Sequence, residues 1–231
     1  MCSRLDDIKT RVQAAALRAG RDASEVNILA VSKKKPASMV RELFQCGQQW
    51  FGENYVQEAV VKIDELADIR HEIQWHFIGH LQRNKAKLAV QYFDCIETVD
   101  SLKLARAIDR HAGNLGKTID CLCQVNIGMD QAKSGVAPSE LPELLSGIRE
   151  LQSIRARGLM TIHPWSSSKD DVRRWFRQMR ELRDDMVSQA LLPAEKGFCH
   201  ISMGMSGDFE EAVEEGATIV RIGTALFGPR E

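Results

Sequence analysis

The sequence predicts an α/β fold: a (β/α)8 TIM barrel preceded by one extra N-terminal helix. Two observations predict it. Short β-rich runs alternate with amphipathic helical stretches along the chain and no all-β block interrupts them, an order that implies parallel strands joined by crossover helices. Eight such runs can be counted, which fits a closed barrel; an open doubly wound sheet is the alternative. At 231 residues the barrel would be compact beside the usual size of about 250. No linker or shift of composition marks a second domain, so residues 1–231 are read as one domain.

The N-terminal helix starts at Ser3-Arg4-Leu5-Asp6, a capping-box pattern. Leu5, Ile8, Val12, Ala15 and Ala16 then recur at helical spacing up to Gly20, the expected C-cap. The strand candidates are 28–31, 49–52, 74–78, 93–98, 119–126, 154–162, 198–202 and 217–222. The clearest helix between them is 170–187, with Val172, Trp175, Phe176, Met179, Leu182 and Met186 on one face; a shorter one is expected at 208–215.

Composition narrows the function. Lys and Arg number 31 against 32 Asp and Glu, a net charge of -1 that argues against a nucleic-acid partner. The N-terminus has no apolar signal core, and the apolar runs fall short of the ~20 residues of a membrane span. Cys2, Cys46, Cys95, Cys121, Cys123 and Cys199 show no disulfide-framework spacing. A chain of this length can bury roughly 70% of its unfolded surface without staples, so a reducing cytoplasm is the expected setting.

In such barrels the working residues lie just past the C-terminal ends of the strands. Read in order, those positions carry Ser32-Lys33, Glu53-Asn54, His76 with Gly79, Glu97-Thr98, Asn126, Met160 to His163, Ser202-Met203-Gly204 and Arg221 with Gly223-Thr224. A phosphate needs unobstructed N–H donors and a hydroxyl. Gly204-Met205-Ser206-Gly207 and Gly223-Thr224 supply them after the seventh and eighth strands, where barrels usually hold phosphate. These glycines could equally serve only as turns, and Asp208, Glu210 and Glu211 would repel a phosphate unless they point away. Neither a Walker motif nor a dinucleotide fingerprint is present.

Strand alternation puts Lys33 on the same face as Val31 and Leu29, with Ser32 and Ala30 on the other, and Pro36 leaves Lys33 at the rim. A lysine that attacks an aldehyde must be neutral, which neighbouring charge from Lys34, Lys35 and Arg221 would favour. The competing reading of Lys33-Lys34-Lys35 is a solvated charged run. Arg221, costly to bury alone, either acts on a ligand or pairs with a rim carboxylate such as Glu53. His76, His80, Cys121 and Cys123 make a nominal zinc set, but the two cysteines share a strand face expected to pack under helices. The basic stretch 82–87 reads as a solvated face or an anion contact.

Leu29-Ala30-Val31-Ser32-Lys33, Phe51 to Glu58, Trp75 to Gly79, Leu81 to Lys85, Gly158-Leu159-Met160, Ser202 to Ser206 and Val220 to Gly228 resemble, in order, the YggS/PROSC family of pyridoxal phosphate homeostasis proteins. The resemblance implies a barrel like the N-terminal domain of alanine racemase, binding pyridoxal 5′-phosphate (PLP) covalently as a Schiff base on Lys33. It implies Arg221 at the pyridine nitrogen, Ser206, Gly207, Gly223 and Thr224 around the phosphate, and Asn54, His76 and Met160 lining the pocket. Lys34 replaces a usually neutral residue, and Asp130 stands at a usual glutamate position near Lys133.

The function expected is intracellular storage, buffering or delivery of PLP with little turnover. The partners expected are the cofactor and PLP-dependent apo-enzymes, with neither nucleic acid nor membrane, and the chain is expected to be a monomer. The alternatives are a PLP-dependent amino-acid racemase and a sugar aldolase that uses Lys33 without a cofactor. Racemisation needs a second proton carrier, which alanine racemase takes from a β-rich domain for which this chain, ending at Glu231, leaves no room. An arginine at the ring nitrogen also weakens the ring as an electron sink.

Overall fold

A computed structural model describes residues 1–165, 168–195 and 199–228. The chain runs α1 (Cys2–Arg18), β1 (Asn27–Val31), α2 (Ala37–Gln45), β2 (Trp50–Glu53), α3 (Val56–Asp64), β3 (Gln74–Phe77), α4 (Ala86–Tyr92), β4 (Cys95–Val99) and α5 (Leu102–Gly113). It continues through β5 (Ile119–Gln124), α6 (Leu141–Arg149), β6 (Ile154–Met160), α7 (Lys169–Ser188), β7 (His200–Met205), α8 (Phe209–Glu214), β8 (Ile219–Ile222) and α9 (Thr224–Phe227). The strands pair in sequence order into a closed parallel barrel, sealed where Leu29 of β1 meets Arg221 of β8. The closed barrel is thus the outcome, not the open sheet. Every expected strand has its counterpart; in the seventh, the expected start at Phe198 lies outside the described residues.

Alternation sorts the side chains into two layers. Leu29, Ile78, Cys95, Leu122, Met160 and Ile219 fill the barrel interior, with Val31 and Ile162 against them. Outward-facing Ala30, Phe51, Trp75, Cys121, Cys123 and Val220 join the helix faces in the outer core. On α7, Val172, Phe176, Met179 and Met186 are buried, as the apolar stripe requires.

Helix α1 departs from expectation at its start. It begins at Cys2 with Met1 as N-cap and without a side-chain cap. The terminal ammonium of Met1 instead bonds Glu42 Oε1 at 2.8 Å, so the Ser3 capping box does not form. At the other end Ala19 is the C-cap, and Gly20 takes φ +65° just beyond it. Arg21 N–H reaches Ala16 O at 2.9 Å and Gly20 N–H reaches Leu17 O at 3.1 Å, the paired bonds of a Schellman stop that only a left-handed residue closes cheaply.

A second correction concerns the cysteines. Cys2 and Cys46 form a disulfide across a sequence separation of 44, joining the start of α1 to the end of α2. No spacing rule exposes such a pair, because it depends on the start of one helix meeting the end of another. Cys121 and Cys123 are fully buried free thiols; burial pushes Cys123 up to about 12 and Cys121 also upward. Among the described residues no group of His, Cys, Asp and Glu could hold a metal ion, and no helix is long and apolar enough to cross a membrane.

Candidate functional site

The strand order decides what meets at the C-terminal rim. Because β1 closes on β8, the segment after Val31 lies beside the segment after Ile222. Lys33 is half-buried there, in the turn that follows β1. It forms the second residue of a turn closed by Lys35 N–H to Ser32 O at 3.0 Å, whose third residue, Lys34, takes φ +60°.

Beside it, two backbone N–H groups converge on one hydroxyl. Gly223 and Ala225 donate to Ser206 Oγ at 3.3 and 3.4 Å, leaving the Ser206 hydroxyl hydrogen free to donate in turn. Gly207 and Thr224 are exposed, and a side-chain carbon added at Gly207 would meet nothing within 4 Å. The seat is therefore open, with two N–H groups converging on a hydroxyl that can itself donate to an anion. The acids that seemed to conflict with it are engaged elsewhere. Glu210 pairs with Arg11 and Arg18, and Glu211 with Lys169. Asp208 accepts from Met205 N–H at 2.6 Å and bonds His163 Nε2 at 2.9 Å.

Arg221 points into the barrel with 4% exposure. It donates to Ser202 Oγ and to Thr161 O, both at 2.7 Å. Ser202 passes its own hydrogen to Glu97 Oε2 at 2.5 Å, and Glu97 Oε1 takes 2.6 Å from His76 Nδ1. Burial alone would raise the Glu97 carboxyl, but His76, Arg221 and Ser202 outweigh it and hold it below its ordinary value. Burial lowers Arg221, against Glu97 and Asp208, yet a guanidinium stays a cation. The Glu53 pairing considered from the sequence does not occur: Glu53 faces the outer layer, where it binds Lys62 at 2.5 Å and Ser32 at 2.6 Å.

The remaining expected residues divide. Asn54 follows β2, next to β1, and its Oδ1 is buried without a hydrogen-bond partner. Its carbonyl lies against Gly79, where an added side-chain carbon would fall 2.0 Å away. Met160 is fully buried in the inner cluster. His76 stands inside β3, one residue short of its end, tilted by 35° against Trp50 with centroids 4.8 Å apart; its Nδ1 is taken by Glu97, so it belongs to the floor beneath the rim. Lys133 ties its loop to the chain after β6 by bonding Ile162 O at 3.4 Å and also His163 O. His80 lies 3.5 Å from Ser134, away from Cys121 and Cys123.

Sequence reasoning missed Glu97, Ser202 and Thr161 as a connected set, although each sits at a strand end where polar residues gather. It also missed a cavity of about 780 Å³ at the opposite, N-terminal mouth, lined by Asn27, Trp50, His200 and Thr218. The arginines around that cavity are paired: Arg21 with Glu25 and Arg183 with Asp184. The convergent donors, the half-buried lysine and the orphaned amide oxygen all lie at the other end.

Comparison with known proteins agrees with this geometry. The alanine racemase N-terminal domain family matches residues 3–231. A pyridoxal phosphate homeostasis protein of Aquifex aeolicus is 43% identical over 232 residues, covering 100% of this chain and 98% of the relative. PipY of Synechococcus elongatus, solved with PLP bound, is 40% identical with a TM-score of 0.81 over 96% of this chain and 100% of its own. Alanine racemase of Clostridium difficile shares the fold at 17% identity and a TM-score of 0.69, matched over 55% of its length. The chain therefore belongs to the alanine racemase N-terminal domain family, among its pyridoxal phosphate homeostasis proteins.

Proposed function

We propose that this protein binds PLP to maintain its intracellular level, storing, buffering and handing on the cofactor with little turnover of its own. Residues 1–231 act as one unit, monomeric and cytoplasmic, with PLP-dependent apo-enzymes as recipients. The observation that carries the reading is the meeting of the Lys33 turn with the Ser206–Gly223 seat and Arg221 across the β1–β8 seam. When bound, PLP offers an aldehyde that condenses with a neutral lysine amine, releasing one water and leaving a borohydride-reducible bond.

The chain's own residues divide the work. Lys33 supplies the amine. Ser206, Gly207, Gly223 and Thr224 hold the phosphate with N–H and hydroxyl donors. Arg221 donates to the ring nitrogen, and as a permanent cation it cannot accept a proton from it. The ring is thereby kept a poor electron sink, which favours carriage over amino-acid chemistry. Asn54 supplies a buried acceptor in need of a donor, Met160 an apolar wall, and His76 a floor held by Glu97. The curated relatives, aligned over nearly their whole length, carry the homeostasis name.

Reconstitution with PLP, borohydride reduction and peptide mapping test the reading. The expected adduct is on Lys33, and Lys33→Ala should fold normally yet remain colourless. Fixation on Lys34 or Lys35 in the wild type would overturn the lysine assignment. Sustained racemisation of alanine, followed by optical rotation, would overturn the carrier reading.

A further inference from the structure

A second lysine, Lys62 on α3, lies behind the sheet with its side chain 5% exposed. A buried ammonium needs partners, and each of its donor directions is used. Nζ bonds Ser32 O at 2.7 Å, Glu53 Oε1 at 2.5 Å and Glu58 Oε1 at 3.1 Å. The same Glu53 oxygen takes the Ser32 hydroxyl at 2.6 Å, and the same Glu58 oxygen takes Lys34 N–H.

These bonds fall on the peptide units on either side of one α-carbon. Lys62 holds the carbonyl of the Ser32–Lys33 peptide, and Glu58 holds the N–H of the Lys33–Lys34 peptide. Together they fix both backbone dihedrals of Lys33 from the outer face of the sheet. The turn needs such help. Its third residue, Lys34, sits at φ +60°, where glycine or asparagine is the ordinary occupant. A lysine stays there only when its surroundings over-determine it.

We infer that Lys62, acting with Glu53 and Glu58, is the positioning residue that aims Lys33 into the barrel mouth. The inference rests on the reading of Lys33 as the cofactor-bearing amine. Without the clamp, Lys34 relaxes out of the left-handed region, the turn rotates, and Lys33 loses its place to a neighbouring amine.

The test compares wild type, Lys62→Met, Lys62→Met with Lys34→Gly, and Glu58→Gln. Each is mixed with PLP, quenched with borohydride over time, and mapped by peptide mass, with circular dichroism as the fold check. Wild type should fix hydride on Lys33 alone. Lys62→Met should label Lys33 roughly tenfold more slowly, as loss of a hydrogen bond to a charged group implies, with label appearing on Lys34 or Lys35. Adding Lys34→Gly, which relieves the left-handed residue, should return the label to Lys33; simple destabilisation would not be rescued this way.

Wild-type rate and site in a folded Lys62→Met, or a folded double variant as slow as the single, would overturn the inference. If Lys62→Met does not fold, Glu58→Gln decides, because it leaves the buried Lys62–Glu53 pair intact: slowed labelling of Lys33 supports the clamp and unchanged labelling refutes it. Wild type that fixes nothing on Lys33 refutes the reading of that lysine, a result separate from any behaviour of the variants.

Discussion

Ser202 joins Arg221 to Glu97, accepting from the guanidinium at 2.7 Å and donating to the carboxylate at 2.5 Å. The cation and the carboxylate, on opposite strands of the barrel, are thus coupled through one hydroxyl, and His76 on the strand beside Glu97 extends the chain.

Removing that hydroxyl should be expensive for its size. Ser202→Ala leaves two buried charged groups each short of a partner, at a cost of about 2 kcal/mol. Urea denaturation should show the midpoint falling without a change in slope. An unchanged midpoint would mean that Arg221 and Glu97 find each other directly.

The network should also be acid-sensitive. A carboxyl held lower in the folded state than in the unfolded chain contributes stability at pH above its unfolded value and loses it as pH falls through the folded one. Glu97, lowered from 4.5, should therefore lose its contribution as pH drops below that figure, and Glu97→Gln should flatten the stability profile there. Glu53, raised by burial despite Lys62 and Ser32, carries the opposite sign: its contribution is full at low pH and is lost as pH rises through its folded value. Acid titrations of the two Gln variants should bend in opposite directions.

The Cys2–Cys46 bond closes a long loop between α1 and α2. On loop-entropy grounds its loss should cost about 2–4 kcal/mol. Calorimetry of wild type with and without a thiol reductant measures this directly, and Cys46→Ser should match the reduced protein.

At Gly79 an added side-chain carbon would sit 2.0 Å from the Asn54 carbonyl. Gly79→Ala should push Asn54 off the rim, costing roughly 1–3 kcal/mol as overpacking does. PLP uptake should weaken, with the labelled lysine unchanged.

The barrel was legible because its signal repeats: each inward-facing apolar residue is followed by an outward one, and every run ends in polar or glycine residues. Leu29 and Val31 could be placed on one face by that alternation alone. What escaped was long-range and polar. Glu97, Ser202 and Arg221 occupy different strands, and no local pattern says that one hydroxyl will bridge the other two. Lys62 looks like an ordinary helix lysine until Ser32 and Glu53 are packed beneath it. The helix start at Cys2 and the disulfide were missed for the same reason, since each depends on the end of α2 meeting the start of α1.

The β1–β8 closure carries a consequence for biosynthesis. The Lys33 turn is translated early, whereas Arg221 and Gly223 emerge only after the other strands have been made. On the proposed assignment of Lys33, a nascent chain carries its amine long before it has anything to hold a vitamer with, and cofactor loading waits until the ribosome has delivered β8.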